Sequence, residues 1–590
     1  MTHSRLTARR LAVTLFAVLA VVGIFVVKLV DIQVVRAAEL TAAAEARRSS
    51  EVTVWGARGE IVDANGTVLA DSVDRFDITA SPKNVSDTGT TEITLDGERV
   101  RVPTTEAIAE VAEITGAASA DLYAALTADP GSDFTYLVKG VTLETFTAVF
   151  DLNIGWVYSE LRPSRTYPRG AIAGNLVGFL GTDGPLAGTE YQWDECLAPT
   201  EGTSRYERSA DGVRLPGSLV VEQEAVDGGT VHLTIDSDLQ WFAQQQLAQQ
   251  GTAVGADWGT AMVVRVDTGE IVVAADWPSI DPNDLDSVGA EDSGARIFTA
   301  PFEPGSIMKP VAFAALLDRG LITPNTPLTI PNSYTPPGST ENITDSFSAG
   351  NARWTATGVL MNSSNIGTVM LSEKLTPEQK YDYFRAFGFG EPTAAGFLGE
   401  DGGTVKEPSE TTYDTATLAT QMFGQGITAT SAQMASLYQT LGNGGVQLPL
   451  TLVAGCEAPD GTWTDVAVPT GERVVSEYAA ETTLQMMETV ASQGSLRNVI
   501  SIPGYRIAAK TGTGEVAENG QYGSERIVSL ATVFPAENPQ YALVVTLGKP
   551  DTMKFSGAAA PVANAIMEQV IKTFRITPST EPAPNLPLTW

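Results

Sequence analysis

The chain has 590 residues, 43% of them hydrophobic, and its 37 Lys and Arg against 70 Asp and Glu give a formal charge of −33. That length allows about two to four domains with large cores, and the acidic balance speaks against a nucleic-acid partner, which needs a basic footprint. There are two histidines, His3 and His232, and two cysteines, Cys196 and Cys456; with His3 ahead of the apolar N-terminal run, a Cys/His zinc site lacks ligands, and no metal or cofactor is expected.

Residues 11–27 carry no charge, Arg5, Arg9 and Arg10 precede them, and Lys28 can snorkel so that Leu29 and Val30 extend the span. This pattern predicts a cytoplasmic N-terminus over 1–10, a single-pass membrane anchor over 11–30 and an exported remainder. A cleaved signal peptide is the competing reading. The length of the run, and the helical sequence that continues over 38–46, favour an uncleaved anchor. Cys196 and Cys456 stand far apart, in what read as different domains, and are expected as independently packed thiols.

Residues 31–225 read as a helix over 31–48 followed by a mixed α/β pedestal. Its expected strands lie at 60–62 and 76–79, and its expected helices at 105–114 and 120–126. A second domain is expected over 226–576. It starts with a β run at 231–235 and a helix at 237–250, with Leu239, Phe242 and Leu247 spaced for one face. Strands follow at 260–266 and 270–275, joined by the hairpin signal Asp267-Thr268-Gly269. A long, mostly helical section precedes β runs at 505–511, 527–533 and 541–547 and a closing helix at 558–574. The order predicts an α+β domain: a five-stranded antiparallel sheet covered by terminal helices, with the helical insertion as a second lobe. Residues 577–590, with Pro578, Pro582, Pro584 and Pro587, read as an extended, exposed tail. His232, beside an apolar run, reads as structural.

Three short segments carry chemistry. In Glu303-Pro304-Gly305-Ser306-Ile307-Met308-Lys309-Pro310, Ser306 opens an apolar helix and Lys309 follows at i+3 on the same face. A lysine titrates near 10.4 unless burial or a neighbouring cation holds it neutral, and Ile307, Met308 and Phe313 offer apolar surroundings. Asn362-Ser363-Ser364-Asn365 supplies a second hydroxyl and a side-chain amide. Lys510-Thr511-Gly512-Thr513-Gly514 ends a β run, where a backbone edge can pair with an extended peptide. Alternation puts Thr511 and Thr513 on one face and does not place Lys510 there. Taken singly, each segment also fits a bland role: a helix start, a capping cluster, a glycine-rich turn. Gly424-Gln425-Gly426 lacks the βαβ context of a dinucleotide site, and Gly548-Lys549-Pro550 is no phosphate loop.

Together and in this order they form the SxxK, SxN and KTG set of penicillin-recognising serine enzymes, with SSN where SDN is also found. Over nearly its full length the chain resembles the class B penicillin-binding proteins, peptidoglycan transpeptidases. Further similar segments are 233–236, 387–390, Gly424-Gln425-Gly426 with Thr430 and Gln433, 58–63 with Asn65-Gly66, 165–168 and 188–190; residues 198–202 depart from the family pattern. The resemblance implies a penicillin-binding-protein or serine β-lactamase-like domain over 226–576 and a dimerisation-type pedestal over 31–225. It implies Ser306 as acylated nucleophile, Lys309 as its base, Ser363 as proton relay to the leaving D-alanine, and Asn365 as holder of the donor amide. Lys510, with Thr511, Gly512 and Thr513, would polarise Ser363 and bind the terminal carboxylate, and the N–H groups of Ser306 and Thr513 would form the oxyanion hole.

The partners it implies are stem peptides ending in D-Ala-D-Ala, β-lactams as covalent inhibitors, and an FtsW-type membrane polymerase with other division proteins. The pedestal pattern favours a division-type, FtsI-like role over an elongation role. A carboxypeptidase or β-lactamase needs neither anchor nor pedestal. A silent scaffold does not need the intact triplets, and a bifunctional class A enzyme would need a glycosyltransferase motif absent before residue 226.

Overall fold

The computed structural model describes residues 2–40, 49–85, 89–181, 184–207, 217–287, 289, 292–409, 415–466, 470–518 and 521–590. A single helix, Thr2–Val30, carries the apolar N-terminal run, with residues such as Leu15, Phe16, Ile24 and Phe25 exposed along it. A π-helical turn, Asp31–Val35, follows; the expected helix over 38–46 lies from residue 41 outside the described residues. The chain divides into two compact units, neither continuous in sequence. One comprises Met1–Ala57, Val73–Ser164 and Pro199–Asp227, the other Arg58–Ser72, Arg165–Ala198 and Gly228–Trp590.

The first unit is mixed α/β. It holds a three-stranded sheet of Ser49–Val54, Gly202–Glu207 and Val220–Gln223, and a hairpin of Thr90–Leu95 with Glu98–Pro103. Helices Thr104–Thr115, Ser119–Thr127 and Leu143–Asp151 pack a small core of Ile78, Ile93, Ile108, Val111, Leu122 and Trp156.

At the centre of the second unit is a five-stranded antiparallel sheet. Helix α1 (Ser237–Val254) is capped by Asp236, which accepts from the Asp238 and Leu239 N–H groups. Strands β1 (Trp258–Arg265) and β2 (Ile271–Trp277) follow as a hairpin. The helical lobe contains α2 (Lys309–Asp318), the ribbon β3 (Pro327–Ile330) with β4 (Ala352–Thr355), and helices α3 (Ala356–Met361) and α4 (Asn365–Ser372). Helices α5 (Ser431–Gly442) and α6 (Glu477–Gln493) lead to β5 (Ala508–Glu518), β6 (Gln521–Phe534), β7 (Tyr541–Gly548) and α7 (Ala560–Phe574). The sheet order is β2-β1-β7-β6-β5.

Alternation explains why its strands read as unbroken apolar runs. Met262, Val264, Ala531, Val533, Ala542 and Val544 enter the core on the helical-lobe side. Their neighbours Ala261, Val263, Leu530, Leu543 and Val545 pack with Leu239, Leu247, Ile566 and Met567 of α1 and α7. Both faces are buried, so the polar half of the usual antiparallel alternation disappears.

Three expectations change. The strand expected at 505–511 runs instead over Ala508–Glu518, so the glycines lie inside it. Space explains this: an added Cβ would stand 2.9 Å from Ile307 Cγ2 at Gly512 and 2.1 Å from Glu303 O at Gly514, so the backbone can be approached closely there. Cys196 and Cys456 form a disulfide rather than packing as separate thiols. Both belong to the second unit, because residues 165–198 fold with it and not with the chain around them. The tail is extended but not free: Leu586 packs on the core and Trp590 Nε1 donates to Leu328 O at 2.9 Å. His232 meets the structural expectation, with Nε2 3.2 Å from Glu457 Oε2 and its ring edge-on to Trp463.

Candidate active site

Ser306 sits on a 3₁₀ turn, Gly305–Met308, that runs straight into α2. Gly305 takes φ +56° and donates its N–H to Gly424 O at 3.0 Å; a Cβ there would stand 2.5 Å from Thr513 O. Only glycine satisfies both demands. Lys309 is the first residue of α2 and Pro310 the second, where a missing N–H costs nothing. Ile307, Met308 and Phe313 are fully buried around them, and the buried Tyr438 hydroxyl donates to Ile307 O at 2.8 Å.

The second arm comes from the α3–α4 connection. Ser363 takes φ +58°, unusual for a residue with a Cβ. Ser364 caps α4, accepting from the Gly367 N–H at 2.9 Å, and Asn365 is the helix's first residue. Asp345 locks this turn: it accepts from Ser364 Oγ at 2.7 Å, from the Asn365 N–H at 2.5 Å and from the Ile366 N–H at 3.1 Å.

The third arm is β5, the edge strand of the sheet. Lys510 shares its face with Gly512 and Gly514, the face that the Ser306 turn covers. Because the two glycines leave that face bare, the lysine can run inward, and it is fully buried. Its Nζ donates to Ser363 Oγ at 2.8 Å and to Thr511 O at 2.9 Å. Thr511 and Thr513 project from the opposite face, half-buried and exposed respectively. The Thr513 carbonyl faces Gly305, and in an extended strand one residue's N–H and C=O point the same way. The Thr513 N–H therefore also aims at the free edge beside Ser306.

Ser306, Lys309, Ser363, Asn365 and Lys510 thus converge. Lys309 Nζ lies 2.7 Å from each of Ser306 Oγ, Ser363 O and Asn365 Oδ1, and 3.2 Å from Ser363 Oγ. Ser363 O and Asn365 Oδ1 can only accept. They use both N–H bonds of a neutral amine and leave its lone pair toward the Ser306 hydroxyl. Burial first, then the charge of Lys510, pushes the Lys309 ammonium well below the ordinary lysine range, with Asp345 opposing. Burial brings Lys510 down to about 7.

Two residues here carry no sequence signal of their own. Asp345 lies in an irregular polar stretch, and Glu303 reads as part of a helix approach. Glu303 is raised in pKa by burial; it accepts from the Gly426 N–H at 2.9 Å and from Tyr522 OH at 3.0 Å, tying the nucleophile's turn to β6. Thr430 and Gln433 form a capping box on α5, and Gln433 Nε2 also donates to the Gly388, Glu391 and Gly402 carbonyls, which gives those motif residues a structural purpose.

Residues 259–568 match the family model described as penicillin binding protein transpeptidase domain, and residues 53–185 the one described as penicillin-binding protein dimerisation domain. The chain is 32% identical to penicillin-binding protein PbpB of Mycolicibacterium smegmatis, over 97% of this chain and 91% of that protein. It is 32% identical to the peptidoglycan D,D-transpeptidase FtsI of Escherichia coli, over 98% and 94% of the two chains. Its fold is similar to the crystal structure of penicillin-binding protein 3 from Mycobacterium tuberculosis complexed with aztreonam, with TM-score 0.69 and 28% identity, covering 91% of this chain and 100% of that one.

Proposed function

The chain belongs to the class B penicillin-binding proteins of the FtsI and PbpB kind, and from that premise we propose that it is a peptidoglycan D,D-transpeptidase of septal wall synthesis working through a Ser306 acyl-enzyme. The observation that carries the residue assignment is the buried Lys309, with Nζ 2.7 Å from Ser306 Oγ and equally close to Ser363 O and Asn365 Oδ1.

Neutral Lys309 takes the Ser306 proton as Oγ attacks the carbonyl carbon of the penultimate D-alanine of a donor stem peptide. The oxyanion forms against the N–H groups of Ser306 and Thr513. Ser363, between the two lysines, passes a proton to the departing nitrogen; the C–N bond breaks and terminal D-alanine leaves. An amine of a second stem peptide then attacks the ester, its proton returns by the same lysine, and Ser306 is released with the cross-link made. Asn365 holds the donor amide, and Lys510 with Thr511 and Thr513 binds the terminal carboxylate beside Gly512. A β-lactam acylates the same Ser306.

In this reading residues 1–10 are cytoplasmic, 11–30 cross the membrane, and the pedestal (31–225), the transpeptidase domain (226–576) and the tail (577–590) are exported. The Cys196–Cys456 disulfide supports export, since such bonds persist in oxidising compartments. The partners are stem peptides ending in D-Ala-D-Ala and an FtsW-type membrane polymerase with other division proteins.

The test is to incubate full-length protein in detergent with a fluorescent penicillin. Wild type is expected to take covalent label that persists for hours, and Ser306→Ala none. Label on both would remove Ser306 from the mechanism. Loss of label within seconds would make the chain a hydrolase.

A further inference from the structure

The Ser363 arm is short and strained. It hangs from α3, which has six residues, and from the ribbon β3–β4 that precedes it. The last residues of the chain hold the start of this arm. Leu588 O accepts from the Thr355 N–H at 3.1 Å, and Pro587 O accepts from Thr355 Oγ1 at 2.6 Å. Thr355 is the N-cap of α3, its hydroxyl accepting in turn from the Gly358 N–H at 3.0 Å. The tail carbonyl therefore takes the hydroxyl's only proton and leaves its lone pairs for the cap. Thr589 pairs with Trp354 as an added antiparallel bridge, Trp590 Nε1 donates to Leu328 O, and the Arg353 guanidinium lies 3.9 Å from the Trp590 ring centroid. α3 has been shaped around this contact: a Cβ on Gly358 would stand 2.0 Å from Leu588 O. A glycine inside a helix costs helix propensity, so its presence here serves the close approach.

We propose that residues 587–590 are a positioning strap for Ser363. By fixing the first turn of α3 against the β3–β4 ribbon, they hold the α3–α4 turn at the height where Ser363 Oγ meets both lysines. Misplacing a reacting group by about 1 Å can cost roughly 10²-fold in rate, so partial loosening is expected to be felt in the chemical step. The proposal rests on the acyl-transfer reading above.

The test measures acylation of Ser306 by a fluorescent penicillin in the full-length protein, separating the acylation rate constant from the dissociation constant of the prior complex. Removing residues 587–590 is expected to lower the rate constant by about 3- to 30-fold while leaving the dissociation constant within about twofold. A free peptide of residues 577–590 is expected to restore it in trans. Gly358→Ala, in the intact chain, is expected to slow acylation similarly although alanine favours the helix, and to add nothing once 587–590 are gone. Wild-type rates in the shortened chain, or in Gly358→Ala if the shortened chain does not fold, overturn the proposal. So does a slow shortened chain that the peptide fails to rescue beside a fast Gly358→Ala. A wild type that takes no label sinks the acyl-transfer reading; a labelled wild type with undiminished variants sinks the strap alone.

Discussion

Lys510 and Lys309 show how one environment gives two ammonium groups different work. Both are fully buried and both reach Ser363 Oγ, and the charge of Lys510 adds to burial in lowering Lys309. Lys309, well below the ordinary range, is the neutral member, and Lys510, at about 7, is charged only on the acid side of neutrality. A group whose charged form is required loses function as pH rises through its pKa. The second-order acylation rate constant of the free enzyme is therefore expected to fall on an alkaline limb centred near 7. In Lys510→Arg the guanidinium stays charged, so the limb should move up by at least about one pH unit even though the maximum rate drops. A limb that stays put in a pH–rate profile of this variant would remove Lys510 from the titration. Both lysines were legible as motif residues. The depth of their burial was not, because period-two alternation gives the face a residue points from and not what covers that face.

At the scale of elements, α4 begins where its cap allows it to begin. Ser364 and Asp345 together satisfy the first N–H groups, and Asp345 does so from an irregular stretch with no periodicity to reveal it. Asp345→Ala should cost about 1–2 kcal/mol of stability in denaturant unfolding, the range of a lost N-cap, and should slow acylation through a displaced Asn365. Asp345→Asn, which keeps an acceptor, should recover part of both. Equal loss in the two variants would mean that charge rather than capping matters here. The strands β1, β6 and β7 and the helices α1 and α7 fall close to where periodicity put them. β5 does not, because glycines inside an apolar run look like a terminus until the turn carrying Ser306 is seen lying against them.

On the scale of the whole molecule, each compact unit is assembled from separate stretches of chain. Arg58 and Arg165 donate from Nε to Glu190 at 2.7 and 2.6 Å, and Glu190 is fully buried. Three segments singled out as similar to the family, 58–63, 165–168 and 188–190, thus meet on one carboxylate of the larger unit. The disulfide ties the same region, residues 165–198, to the strand Val453–Glu457. Replacing Cys196 and Cys456 by serine should destabilise the protein by about 2–5 kcal/mol and lower the melting temperature by several degrees, with Ser306 acylation of the folded protein within about twofold of wild type. An unchanged melting temperature would mean that packing alone holds the region.

Read in one dimension, the chain carries its family resemblance and the residues proposed for its chemistry. The apolar N-terminal run, the order of strands and helices around a helical insertion, and the three triplets with Ser306, Lys309, Ser363, Asn365 and Lys510 are local patterns, and local patterns survive in one dimension. Only the folded arrangement shows how deeply the two lysines are buried, which carboxylate caps the Asn365 helix, which cysteines bond and where the tail docks. Each of these depends on groups brought together across tens to hundreds of residues, and on the exclusion of water between them. Neither the partner nor the local dielectric is written in the spacing of the residues concerned.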